Sequence, residues 1–199
     1  MSPDWRRTRK TFRHGRLAEA LVAAALKRLE TDGVEALSLR ELARDAGVNH
    51  RAVYRHFPDK LSLTARVAEH GWQHLARRIR SQMKGKPAGE PALIAGGVGF
   101  FLFAREHPNL FHLMAGPRVN MDGAFPTLET TIIDALMMLE RAFLDAGTAP
   151  AVARRSTALF ISALQGVTAQ ILHRRLPVAA RDAKDFIADT CRMLFKGLR

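Results

Sequence analysis

The chain is poor in cysteine, in long hydrophobic runs and in acidic residues, and each shortage excludes a class of protein. Cys191 is the single cysteine among 199 residues, so neither an intrachain disulfide nor a zinc site built from several cysteines can form. The longest apolar run, Ala92 to Ala104, has thirteen residues, whereas a membrane-spanning helix needs about 20. No apolar segment follows the basic N-terminus, so we expect a soluble, cytoplasmic protein that does not contact membranes.

Acidic residues are outnumbered by basic ones, and the imbalance is concentrated early in the chain. The sequence has 31 Lys and Arg against 19 Asp and Glu, for a net charge of +12. Residues 1–80 hold 17 of these basic residues and 9 of the acidic ones. An excess of this size favours a polyanionic partner such as nucleic acid.

Helical periodicity runs through almost the whole chain, and no stretch shows the sustained alternation of a β-strand. Glycines and prolines fall between the periodic segments, where helices would end. We therefore predict an all-α protein with about nine helices. They cover about residues 15–31, 39–46, 50–57, 60–83, 92–107, 109–114, 127–145, 151–175 and 182–197.

Residues 38–61 have the pattern of a helix-turn-helix, in which two short helices meet through a glycine-containing turn. Ser38 can cap the first helix, and Glu41 would complete a Ser-x-x-Glu capping box. Gly47 suits the left-handed backbone that ends this helix, and Asn49 is a favoured cap for the second. These start and stop signals predict the motif.

The second helix of the motif would bury Val53 and Phe57, which leaves its polar side chains exposed. The N-terminal end of this helix enters the major groove in helix-turn-helix proteins. Arg51 could pair with guanine, and Asn49 with adenine unless capping occupies it. The predicted base contacts come from Asn49, His50 and Arg51. The other DNA-binding candidates, most of them suited to phosphate, are Ser38, Arg40, Tyr54, Arg55, His56 and Lys60. A solvated helix in a protein that binds no DNA is the alternative.

A basic segment precedes the first helix. Residues 5–13 contain five basic residues and little apolar periodicity, so we predict a flexible arm over residues 1–13. Arg9 and Arg13 are candidates for contacts with phosphate or with the minor groove. A solubilising tail is the alternative.

Five short segments within residues 13–76 carry a family resemblance. They are His14-Gly15-Arg16-Leu17, Asp32-Gly33, Leu37 to Ala43, Ala46-Gly47-Val48, and Tyr54 to Phe57 followed by Asp59-Lys60. Together they resemble the TetR family of bacterial transcription regulators. The resemblance implies a homodimer in which a three-helix DNA-binding domain, here residues 14–60, precedes an effector-binding and dimerisation domain, here residues 61–199. It also implies a repressor that binds a near-palindromic double-stranded DNA operator and is released by a small-molecule effector.

The effector pocket implied by this resemblance would be lined by aromatic and methionine side chains, although such residues are more often ordinary core. Acidic residues are scarce in the surrounding helices, which favours an apolar or weakly anionic effector. The candidates are Trp72, Leu75, Phe100, Phe103, Phe111, Met114, Met137, Phe160 and Gln165. Residues 103–114 are also similar to part of a subgroup named for a Trp, a His and a Gly on helix eight, of which only Gly166 occurs here.

The last two predicted helices carry more apolar surface than one core requires. We therefore expect them to form a four-helix interface in a two-fold symmetric dimer. The candidates are Ile161, Leu164, Val167, Ile171, Phe186, Thr190, Met193 and Leu194.

An enzyme is a rival class. His70 and His74 are four residues apart, a spacing that can place two imidazoles on one metal ion. They do not form the His-Glu-x-x-His motif of zinc proteases, and a third ligand is not evident. The sequence also lacks a Gly-rich phosphate loop and a Gly-x-Ser-x-Gly turn. We predict no enzymatic activity, no cofactor and no metal. A sequence-independent architectural DNA-binding protein is the nearer alternative, because a net charge of +12 supports it.

Overall fold

A computed structural model of the chain describes residues 14–116 and 123–199. Over these residues the fold is all-α with nine α-helices and no strand, which confirms the predicted fold class. The helices are α1 His14–Asp32, α2 Leu39–Asp45, α3 His50–Tyr54, α4 Lys60–Met83, α5 Glu90–Glu106, α6 Pro108–Ala115, α7 Pro126–Asp145, α8 Pro150–Leu172 and α9 Ala183–Gly197. A short 3-10 helix, Val34–Ala36, follows α1. None of the described helices combines the length and the apolarity needed to cross a membrane. The predicted basic arm, with Arg9 and Arg13, lies outside the described residues.

Prolines account for most differences between the predicted and observed helix starts. Helices α5 to α8 each have a proline in the first turn, and each begins one or two residues earlier than predicted. The prediction used these prolines as helix breakers. A proline in the first turn is tolerated, because the N–H that it lacks would have no partner within the helix.

The described residues divide into two compact units, the first ending at Leu63 and the second beginning at Thr64. In the first unit α1 packs against the 3-10 helix and α2, and α2 packs against α3. Its core consists of fully buried aliphatic side chains from the three α-helices. They include Leu21, Leu29, Leu42 and Val53.

Helix α5 packs against α6, α7, α8 and α9 in the second unit, and its glycines allow close approach. A Cβ on Gly97 would overlap the Sγ of Cys191 on α9. A Cβ on Gly96 would lie 2.8 Å from Cδ2 of Leu139 on α7. Glycine has no Cβ, so the backbone of α5 can lie directly against both neighbours. Large buried rings fill the remaining space. They include Phe101, Phe143, Phe160 and Phe195.

Candidate nucleic-acid interface

Gly47 ends α2 in the left-handed conformation predicted from the sequence, with a φ of +64°. Its N–H donates to the carbonyl of Arg44 at 3.1 Å, and the N–H of Val48 donates to the carbonyl of Ala43 at 3.0 Å. These two bonds form a Schellman motif, which satisfies carbonyls that α2 leaves unpaired. The turn therefore sets where the chain leaves α2 and enters α3.

Asn49 caps α3 as predicted. Its Oδ1 accepts a hydrogen bond from the N–H of Arg51 at 2.9 Å. The cap occupies this oxygen, so adenine would have to accept from the amide nitrogen of Asn49 without the usual bidentate pair. Arg51, which is exposed, is the stronger candidate for a base contact.

The predicted capping box at α2 is wrong. Ser38 occupies the N-cap position with an extended backbone, but its side chain makes no capping hydrogen bond. The Oε2 of Glu41 instead accepts from Arg28 of α1 at 2.5 Å. The carboxylate that a capping box requires therefore forms an ion pair with a neighbouring helix.

Arg28 binds both acidic side chains of α2. Its Nε donates to Oδ2 of Asp45 at 2.7 Å, in addition to the bond with Glu41. The hydrogen bond from Arg28, and then the charges of Arg28 and Arg44, hold the pKa of Asp45 below its usual value, although burial opposes the shift. The same pair raises the pKa of Arg28. Both carboxylates of α2 are thus compensated within the unit.

The exposed side of α3 is basic and contains no carboxylate. Val53 is fully buried and Phe57, just beyond the helix, is nearly so, whereas Arg51 and Arg55 are exposed. The next acidic residue after α3, Asp59, caps the start of α4, because its Oδ1 accepts from the N–H of Ser62 at 2.7 Å. Most DNA-binding candidates lie exposed, namely Arg40, Asn49, His50, Arg51, Tyr54, Arg55 and Lys60. Ser38 and His56 are half-buried.

The candidates for the effector pocket divide between different places in the second unit. Phe100 and Phe111 meet edge to face, with ring centroids 5.5 Å apart. Trp72 and Met114 pack against one small apolar cluster, formed by Ala65, Ala68 and Leu128. Phe103 contacts the rings of His74 and His107. Leu75 is buried and Gln165 is half-buried.

The other two pocket candidates lie elsewhere. Phe160 packs against Phe143, with ring centroids 6.1 Å apart. Met137 is 57% exposed and lines a concavity of about 540 Å³ between α7 and α8, together with Ile161 of the predicted dimer face. Because these residues lie in different places, the effector pocket stays a prediction.

The histidines of α4 lie in a partly buried, cationic environment. The rings of His74 and His107 are 5.0 Å apart between centroids. Burial, and then the charge of His107, lowers the pKa of His74, while burial and Arg77 lower the pKa of His70. Among residues 14–116 and 123–199, no group of three or more His, Cys, Asp and Glu is arranged to hold a metal ion.

Two predicted residues of the dimer interface point into their own unit. Leu164 is fully buried, and Thr190 is nearly so, with its hydroxyl donating to the carbonyl of Phe186 at 2.8 Å. Both occur at helical spacing with core residues. This spacing alone does not distinguish a core position from an interface position. The other candidates are half-buried or exposed, namely Ile161, Val167, Ile171, Phe186, Met193 and Leu194.

Sequence reasoning missed two exposed apolar side chains on α8. Val152 is 42% exposed and Leu159 is 51% exposed, seven residues apart. Phe186 and Met193 on α9 show the same spacing and are 39% and 67% exposed. A seven-residue repeat places side chains on one helical face, so this spacing could have revealed the surface.

Comparison with known proteins finds a family-model match that lies mostly in the first unit. Residues 21–67 match the family model described as bacterial regulatory proteins, tetR family. An uncharacterized HTH-type transcriptional regulator from Haemophilus influenzae is 32% identical over 109 residues, which cover 54% of this chain. The match spans about half, 53%, of that relative's own length.

Solved structures extend the similarity to nearly the whole chain. A protein of unknown function from Rhodococcus sp. RHA1 is 26% identical with a TM-score of 0.79, over 95% of this chain and 98% of that one. The transcriptional regulator FadR from Bacillus subtilis, in complex with stearoyl-CoA, has a TM-score of 0.70 at 14% identity. That match covers 90% of this chain and 98% of FadR, and it shows a shared fold.

Proposed function

We propose that the chain is a transcription regulator of the TetR type that binds double-stranded DNA through α3, because residues 21–67 match the family model described as bacterial regulatory proteins, tetR family. The observation that supports this role best is the exposed basic side of α3. Arg51 and Arg55 lie exposed there, while Arg28 compensates the carboxylates of α2. Phosphate repels unpaired carboxylates, so this arrangement suits a surface that approaches a duplex.

The proposed mode is repression relieved by a small, apolar or weakly anionic molecule bound in the second unit. The support is the aromatic interior of that unit and the fold that it shares with FadR, whose structure contains stearoyl-CoA. Stearoyl-CoA belongs to FadR, and the effector of this chain is proposed by chemical class alone. Addition of a true effector should lower the affinity for operator DNA.

Duplexes selected by the protein from a random-sequence library provide the test of DNA binding. We expect the selected duplex to bind roughly a thousand times more tightly than random DNA at physiological salt. Arg51→Ala should reduce this ratio, because base contacts specify the sequence. Arg55→Ala and Lys60→Ala should weaken binding to both duplexes by a similar factor, because phosphate contacts do not depend on the base sequence.

A matched control removes one positive charge from the second unit. Lys184 is exposed on α9, and Lys184→Ala should leave the specificity ratio unchanged. Equal losses on selected and random DNA for Arg51→Ala would exclude it as a base reader. A wild-type ratio near one would instead support the architectural alternative, in which charge alone drives binding.

We also propose that the chain acts as a dimer through the exposed apolar side chains of α8 and α9. Leu159, Phe186 and Met193 are the largest exposed apolar residues on these neighbouring helices. Met193→Asp should therefore convert dimers to monomers in sedimentation velocity, since a charge would be buried without a partner. Leu61→Asp in the first unit, where Leu61 is 45% exposed, is the control and should leave the dimer intact. An unchanged sedimentation coefficient for Met193→Asp would place the interface elsewhere.

A further inference from the structure

A second concavity lies in the second unit, apart from the aromatic residues proposed above as an effector pocket. It has a volume of about 450 Å³ and lies between α5, the end of α8, the following loop and the start of α9. Most of its lining is apolar. These side chains include Phe101, Ile171, Leu172, Leu176 and Val178.

Two arginines, Arg105 and Arg174, line this otherwise apolar concavity. The guanidinium of Arg105 lies 5.6 Å from the ring centroid of Phe101. This contact favours an Arg105 side chain that lies along the apolar lining. Among the described residues, no carboxylate forms an ion pair with either arginine. The site therefore offers two cationic groups beside an apolar surface.

The backbone at Arg174 supplies an independent observation. Arg174 has a φ of +55°, the only left-handed residue other than glycine in the described chain. It occupies the position after the cap of α8, where its N–H donates to Ile171 and the N–H of Arg175 donates to Gln170. The same hydrogen-bond pattern ends α2 at Gly47 and α7 at Gly147.

An arginine at this position is unfavourable for the fold. A left-handed backbone is more costly for a residue with a Cβ than for glycine, which is why glycine predominates at this step of a Schellman motif. The cost falls on a residue whose side chain lines the concavity, which points to a use for its guanidinium.

From these observations we propose that the concavity binds a single-chain amphiphile with an anionic head. Arg105 and Arg174 bind the carboxylate or phosphate of the head, since guanidinium groups donate paired hydrogen bonds to both. The apolar side chains bind the hydrocarbon chain, as is usual for small-molecule sites. This site does not depend on the proposed DNA-binding role, because every residue in it belongs to α5, α8, α9 or the loop between α8 and α9.

Titration calorimetry of the full chain with decanoate, decyl phosphate and decanol tests the proposal. We expect saturable binding of one or both anions at one site per chain, and binding of decanol at least tenfold weaker. Comparison of the two anions identifies the preferred head. Arg105→Gln and Arg174→Gly should each weaken the binding of the anion about tenfold, because each removes one charge-assisted contact.

Arg174→Gly separates binding from folding. This variant should unfold at a higher temperature than the wild type, because glycine relieves the left-handed backbone, while its affinity falls. Arg175→Gly removes the same charge at the neighbouring exposed residue and should bind like the wild type. The proposal is overturned if neither anion saturates the wild-type protein. It is also overturned if both arginine variants bind as tightly as the wild type, which would place the anion at another site.

Discussion

The helix-turn-helix of the first unit and the long helices of the second unit depend on different kinds of stabilising interaction. In the first unit α2 has 7 residues and α3 has 5, and their ends are fixed by a side-chain cap, a Schellman turn and ion pairs with Arg28. In the second unit most helices have 15 to 24 residues and pack through glycines and buried rings. Short helices are unstable alone, so the motif needs its local restraints. Because of those restraints, α3 does not need apolar contacts on its outer side, and that side can be polar.

The largest effect should come from filling the contact between α5 and α9. Gly97→Val would place a branched side chain against Cys191, in a core that has no room for it. We expect a loss of about 3 kcal/mol in the free energy of unfolding, as for other overpacked sites. Urea unfolding followed by circular dichroism measures it. Gly197→Ala, at an open position near the chain end, is the control and should change little.

A double mutant tests whether the sulfur itself is the obstacle. Gly97→Ala should also destabilise the protein, and adding Cys191→Ala should restore part of the loss, because the Sγ is then absent. Strictly additive losses would show that the two positions do not compete for space. Burial also raises the pKa of Cys191 to about 12, so its thiol is expected to stay protonated in the folded protein.

The two caps of the helix-turn-helix should differ in strength. Asn49→Ala removes an observed hydrogen bond to the N–H of Arg51 and should cost about 1 kcal/mol. Ser38→Ala removes a side chain that makes no cap bond and should cost less than about 0.5 kcal/mol. Thermal unfolding of the two variants, measured side by side, gives the comparison. Equal losses would mean that Ser38 caps α2 in solution.

A further small effect should come from the ion pairs of Arg28, whose side chain is 21% exposed, and it should depend on pH. The pKa of Asp45 lies below its unfolded value, so this stabilisation is present above about pH 3.9 and is lost as the pH falls through the lower folded value. Arg28→Met should lower the urea midpoint at pH 7, and the difference from the wild type should shrink in acid. Lys27→Met is the control, since Lys27 is the exposed basic neighbour of Arg28 on α1. A difference that is independent of pH would argue against a role for the carboxylates.

Local signals in the sequence predicted much of the first unit. Gly47 and Asn49 have conformations that follow from residue type and neighbours, so their roles as helix stop and helix cap could be predicted and are confirmed. The alternation of buried and exposed residues on α3 followed from helical spacing in the same way. The capping box at Ser38 could not be assessed locally, because Arg28, thirteen residues from Glu41 in sequence, competes for the carboxylate.

The second unit was predicted less completely for the same physical reason. Periodicity located its helices within a few residues, but it did not show which apolar stripe faces another helix of the same chain. Leu164 and Thr190 were therefore expected at an interface and are buried, while Leu159 was missed and is exposed. The predicted end of α8 lies three residues beyond the observed one, because Arg174 adopts a left-handed backbone that cannot be predicted from its residue type.

The sequence by itself determined the all-α fold, the helix-turn-helix, its turn and its exposed basic side, because each depends on contacts within a few residues. Only the tertiary structure decided what Glu41 binds, which residues of α8 and α9 remain exposed, and that Arg105 and Arg174 line one concavity. These features join residues distant in the chain. Their proximity depends on how the helices pack, and helical periodicity alone does not specify that packing.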